Sequence, residues 1–174
     1  MHSTVAAIIE RYRLEPLPVE GTLFASTYRS QAETPDGGPV GTAMIGLYAH
    51  EPLSRSLFHR LPTDEVWHFY LGDPIRLVLL HPDGRDETIV LGTDLAGGQT
   101  PFSVVPAGSW MGARLDSGEW AVFGCTMSPG FAPSDFEGAE PEALIQRWPQ
   151  RADDVLAMTR SGHPRSYEGG RSLR

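Results

Sequence analysis

Nineteen glycines and fifteen prolines punctuate this 174-residue chain, and between them stand only short apolar runs. That punctuation is the signature of an all-β domain. Strands are expected over 23–30, 41–50, 65–72, 75–81, 87–92, 102–108, 109–115 and 119–127. "EPLSRS" (51–56) and the Pro/Gly/Asp-rich 31–40 are expected as loops. "HPDGRD" (81–86) is a turn written in Pro, Asp and Gly, so 75–81 and 87–92 should pair as a hairpin. About eight short strands separated by turns point to a barrel or double-sheet jelly roll. Only the ends read as helical. Val5, Ile8, Ile9 and Tyr12 fall at helical spacing behind a Ser3 or Thr4 cap, and 140–148 and 152–160 form short helical stretches. The expected organisation is an N-terminal helix in 1–14, one β-domain over 15–140, a helical segment over 141–160 and a structureless tail over 161–174.

Charge and cysteine content narrow the function classes. Fourteen basic against twenty-two acidic residues give a net charge of −8, which disfavours nucleic acid and anionic membranes as partners. A single cysteine, Cys125, rules out an intramolecular disulfide. The charged N-terminus is not a signal peptide, and no apolar run approaches the roughly 18 residues of a membrane span. A soluble, cytoplasmic protein is expected.

The chemistry concentrates in "SLFHRLPTDEVWHFYLGDP" (56–74). Along "EVWHFY" Glu65, Trp67 and Phe69 share one strand face, and Val66, His68 and Tyr70 the other. If the first set faces a barrel interior, Glu65 is a carboxylate among aromatic groups. Desolvation would then raise its pKa toward neutrality, the arrangement that makes a useful acid or base. The structural alternative pairs Glu65 with an arginine such as Arg60, Arg114 or Arg29. His59, near a barrel edge, is the candidate second acid–base group. His68 is a candidate ligand contact or a structural histidine under the N-terminal segment or a partner subunit. Gln99, in the Gly-rich "AGGQT" loop, could lip a pocket. Cys125 is expected to be buried and inert, Trp110, Phe102, Phe123 and Met127 to be mostly core, and His2, His50, His81 and His163 to face solvent.

Glu65, six residues and Gly72, followed by "PAGSWM" (106–111), is similar to the two-motif signature of the cupin superfamily. More closely, the chain resembles the cupin 5 (DUF985) subfamily. The matching pieces are "EG" at 20–21, "FASTYRS" at 24–30, the stretch 56–74, 91–115 and 123–137. The resemblance implies a double-stranded β-helix, RmlC-like jelly roll, commonly dimeric, with a small-molecule pocket inside the barrel. It places Tyr28 and Arg29 near the pocket entrance or a subunit interface. The superfamily's metal-ligand positions fall on Phe58, Arg60, Glu65 and Met111, so one carboxylate remains, and neither metal nor other cofactor is expected. Phe58, Arg60 and Met111 would instead contact ligand beside Trp67, His68 and Phe69. Pro18, Thr22 and Met111 stand where the subfamily usually has His, Gly and often Gln, which implies a more apolar pocket. The leading expectation is a metal-independent isomerase, epimerase or lyase using Glu65 with His59. The alternatives are a non-catalytic metabolite-binding barrel and a metal-dependent oxygenase with non-standard ligands.

Overall fold

Two of the expected strands are apolar at nearly every position, not at alternate ones, which demands burial on both faces. In the computed structural model, which describes residues 2–159 and 165–167, these two strands lie inside two antiparallel sheets that wrap a common interior. The chain runs α1 (Ser3–Tyr12), β1 (Glu15–Pro16), β2 (Leu23–Arg29), β3 (Thr42–Ala49), β4 (Ser56–Arg60), β5 (Glu65–Gly72), β6 (Ile75–Leu80) and β7 (Asp86–Leu91). It continues through β8 (Phe102–Val105), β9 (Trp110–Leu115), β10 (Trp120–Met127), β11 (Glu137–Gly138), α2 (Pro141–Arg147) and α3 (Ala152–Ala157). The sheet orders are β1-β2-β3-β10-β5-β8 and β11-β4-β9-β6-β7. The expected hairpin forms, with β6 and β7 paired from Ile75 with Leu91 to Leu80 with Asp86.

Each doubly buried strand has its own outer cover. On β3, Tyr48 packs into the barrel, while Ile45, Leu47 and Ala49 turn outward beneath Val5, Ile8 and Ile9 of α1. On β6, Ile75, Leu77 and Leu79 fill the barrel, and Val78 and Leu80 pack against Leu144, Trp148 and Val155 of the C-terminal helices. The terminal helices are thus lids over sheet faces that would otherwise meet water. None of the helices is long and apolar enough to cross a membrane.

Several expectations need correction. The cap of α1 is His2, whose Nδ1 accepts from the Thr4 N–H at 3.2 Å, not Ser3 or Thr4. β4 is absent from the expected strands because Ser, His and Arg occupy three of its five positions and mask its period, although its first four residues are buried. Phe102 is 57% exposed and is not core. His81 is buried, not solvated: its Nε2–H donates to Glu87 at 2.9 Å, and its Nδ1 accepts from the Ser109 hydroxyl at 3.1 Å. That Ser–His–Glu series resembles a hydrolase triad, yet Ser109 is fully buried and the N–H groups of Ala107, Gly108 and Ser109 already have acceptors. It is a clamp between two loops. Of the tail expected to lack structure, residues 165–167 are in place: the Gly138 N–H donates to the Arg165 carbonyl, and Tyr167 packs edge-on against Phe131 and Phe136. His163 and the rest of the tail lie outside the described residues.

Gly46 shows how tightly the interior is set. A Cβ there would stand 2.4 Å from the Phe123 ring, which also stacks on Trp67 at 5.0 Å and packs at a tilt against Tyr48 at 4.4 Å. Gly46→Ala should therefore destabilise the fold by about 1–3 kcal/mol through overpacking, read by urea denaturation at unchanged m-value. Combining it with Phe123→Leu should restore part of the loss. Additive effects of the two changes would mean that the ring does not rest on Gly46.

Candidate functional site

One end of the barrel is not filled. A cavity of about 400 Å³ opens there, with Trp67, Phe123, Met127, Phe131 and Phe136 among its walls. The inner faces of β5 and β10 build its floor. Glu65, Trp67 and Phe69 point inward by strand alternation, as do Phe123, Cys125 and Met127, and the two strands pair Met127 with Glu65 and Cys125 with Trp67.

The polar groups converge on three side chains. Glu65 is 8% exposed, and its Oε2 accepts from the Trp67 indole N–H at 2.7 Å. Burial pushes its pKa up to about 7, and neighbouring Glu20 adds to the rise, while His59 and the hydrogen bonds from Trp67 and Cys125 oppose it. Glu20 lies in the loop before β2. Burial pushes it up to about 7 as well, against a hydrogen bond from Ser56. His59 sits beside Glu20. Its Nδ1 lies 2.8 Å from the Leu57 carbonyl, and its Nε2 lies 3.2 Å from Glu20 Oε1. Burial lowers its pKa, with Glu65 and the Leu57 carbonyl pulling the other way. Its ring stacks on Phe136 at 5.0 Å.

The hydrogen bonds assign the His59 tautomer. The Leu57 carbonyl can only accept, so Nδ1 carries hydrogen. In neutral His59 the unprotonated nitrogen is then Nε2, 3.2 Å from Glu20 Oε1. Glu65, by contrast, receives hydrogen bonds from two donors, the Trp67 N–H and the Cys125 thiol. Burial and the nearby carboxyls push that thiol well above its ordinary range, so it remains a donor. Behind Glu20, Ser56 also bonds the Tyr48 hydroxyl at 2.5 Å and the Thr22 hydroxyl at 2.9 Å. The result is one carboxyl, Glu65, that accepts two hydrogen bonds, with a second, Glu20, lying against His59 nearby.

The structure brings Glu65, His59, Trp67 and Arg29 of the expected residues to this cavity, and Cys125 with them. The others lie elsewhere. Met111 and Phe69 face the barrel interior but are packed in its core and do not line the cavity. Phe58 points out of the barrel into the cluster beneath α2 and α3. Arg60, also on the outside, forms an ion pair with Glu137 at 2.8 Å and lies over the Trp110 ring. His68 is on the outer face of β5, bonded to Thr126 at 3.0 Å. Tyr28 is 57% exposed, and Gln99 turns back to accept from the Asp94 N–H in its own loop. The inward position on β4 is held by His59, one residue away from the count that pointed to Phe58 and Arg60; a slip of one reverses every side chain of a strand. Among the described residues, no arginine pairs with Glu65, so the structural alternative for that residue has no partner.

Glu20 is the residue that sequence reasoning missed. It stood inside the matched "EG" pair, but a loop carboxylate follows no period that could reveal its direction. Phe58 and Arg60 face away, Met111 is core, and no group of three or more His, Cys, Asp or Glu among the described residues is placed to hold an ion. The donor set does not fit a metal of the superfamily type.

The two carboxyls give stability a pH dependence of defined sign. In the folded state they keep their protons up to about pH 7, whereas unfolded glutamate releases them near its ordinary value of 4.5. Their contribution is full below pH 4.5, declines as the pH rises to about 7 and is then spent. His59, with its lowered pKa, acts in the opposite sense on the acid side. Glu65→Gln should melt like the parent near pH 4.5 and higher than it at pH 8, by on the order of 5 °C. A variant that melts far below the parent at pH 8 would mean that Glu65 balances a buried cation.

Comparison with known proteins agrees with this architecture. The chain matches the cupin superfamily family DUF985 over residues 6–139. A crystal structure of a Shewanella oneidensis protein superposes with a TM-score of 0.82 at 33% identity, covering 88% of this chain and 96% of the other. A hypothetical protein from Leishmania major gives 0.76 at 26% identity, with coverage of 88% and 97%. Oxalate decarboxylase from Bacillus subtilis gives 0.51 at 16% identity over 87% of this chain and 38% of its own, a likeness of fold alone. No curated protein matches. With the family match spanning the whole barrel and the jelly roll in place, this chain belongs to the DUF985 family of the cupin superfamily.

Proposed function

We propose that this barrel is a proton-transfer enzyme of the isomerase, epimerase or lyase type, acting on a small, partly apolar molecule in the cavity. The observation that carries the reading is the approach of Glu20 Oε1 to within 3.2 Å of His59 Nε2 beside Glu65, with both carboxyls pushed to about 7. Glu65, as carboxylate, takes a proton from carbon next to a carbonyl. The Glu20–His59 pair delivers its proton to the developing negative charge or to the opposite face of the carbon. One proton leaves and one arrives, so isomerisation needs no other reactant. In a lyase the same pair protonates the leaving group. The aromatic walls strengthen these interactions by excluding water.

The test is solvent exchange. Small carbonyl acids with an acidic C–H, such as mandelate and phenylpyruvate, are incubated with protein in D₂O and followed by NMR. Deuterium should enter beside the carbonyl with a bell-shaped pH profile centred near 7, because the base must be ionised while the acid still holds its proton. Glu65→Gln should slow exchange by roughly 10²–10⁴-fold. Ligands that bind the parent without any exchange would assign the barrel to binding.

We also propose a homodimer. Phe102 and Val104 of β8 and Tyr70 of β5 are exposed on the outer side of one sheet, where no helix among the described residues covers them. Sedimentation should give twice 19.0 kDa, and Phe102→Asp should return the species to 19.0 kDa. A parent that sediments at 19.0 kDa would dismiss the dimer.

A further inference from the structure

β2 keeps its alternation only as far as Ser26. Phe24 and Ser26 face the cavity, and Ser26 pairs with Met44 of β3. The next pair is Tyr28 with Ala43, so Thr27 is an extra residue. Such a bulge reverses the faces of the residues that follow. Tyr28 therefore turns to solvent, and Arg29 enters the cavity wall.

The register then places Arg29 opposite the chemistry. Arg29 pairs with Thr42, Thr42 with Met127, and Met127 with Glu65. All four line the cavity. They form one row across β2, β3, β10 and β5, three interstrand steps of about 4.8 Å each along a curved wall. Among the described residues, Arg29 is the sole arginine on that wall. Arg60, Arg76, Arg85 and Arg151 each hold a carboxylate, whereas Arg29 makes no ion pair or hydrogen bond among the described residues. A second group is also unsatisfied: the Tyr167 hydroxyl lines the same cavity, buried and without a hydrogen-bond partner among the described residues.

We propose that the ligand of this cavity is a small organic oxyanion on an apolar body, its charged group held by Arg29 and its reacting carbon turned toward Glu65. The planar guanidinium matches two oxygens of a carboxylate or phosphate ester at once. Phe123, Met127 and Phe131 flank the apolar body. The Tyr167 hydroxyl donates to a ligand oxygen. The assignment rests on the cavity being the substrate site, and it names the substrate class of the proton-transfer reading.

The experiment measures binding, not turnover. Phenylacetate, phenyl phosphate and the neutral phenylacetamide are titrated calorimetrically into the parent, Arg29→Gln and Arg29→Lys. At least one anion should bind the parent ~10-fold or more tightly than the amide, as expected for a charge-assisted bidentate contact. Arg29→Gln should abolish that preference, and Arg29→Lys should keep part of it. The tighter anion identifies the headgroup as carboxylate or phosphate ester. Arg29 is exposed and unpaired, so equal melting temperatures are the control for folding. Equal affinity for amide and anions, an anion preference that survives Arg29→Gln, or no binding by any of the three would overturn the assignment. If the anion preference holds while phenylacetate shows no deuterium exchange, the proton-transfer reading falls and the oxyanion site stands.

Discussion

Removal of carboxyl groups from water is the constraint around which this barrel is arranged. Two glutamates and a histidine lie within one apolar enclosure, and no cation among the described residues neutralises Glu65. Ionising either carboxyl there is costly, so both retain protons far above the range of free glutamate. The surroundings limit that cost without cancelling it. Trp67 and Cys125 donate to Glu65, and Ser56 donates to Glu20, so the charged forms remain reachable near neutral pH. A pair of acids poised in this way is useful for proton transfer and expensive for stability, as sites selected for chemistry commonly are.

The enclosure depends on elements far from the cavity. β3 and β6 can line the barrel with large side chains because helices bury their outer faces. Phe123 can stack flat on Trp67 because Gly46 leaves room for its ring. Trp67 is thereby held with its indole N–H on Glu65. The orientation of the Glu65 carboxyl thus follows from packing in three consecutive layers.

Within its superfamily the chain retains the barrel and changes the site. Glu65 remains on β5, but the positions that would complete a metal site hold an aromatic ring on the outside, a surface ion pair and a core methionine. In their place stand a loop glutamate and a β4 histidine, 3.2 Å apart. The fold alone therefore says little about the chemistry here.

The sequence by itself determined the barrel, the hairpin of β6 and β7, the bounds of β5 and the inward face carrying Glu65, Trp67 and Phe69. These are local properties: turn residues set the ends, and period two sets the faces. The burial of Cys125 was legible in the same way. Direction was lost wherever period was lost. Glu20 lies in a loop, β4 is short and polar, and the bulge at Thr27 reverses Tyr28 and Arg29 without any mark in the residues themselves. Met111 and Phe69 face inward as their strands require, yet how much of the interior is filled and how much is left open is a sum over every side chain in the barrel. Only the tertiary structure decided which carboxyls meet, because their proximity arises from strand pairing and loop closure between segments distant in sequence.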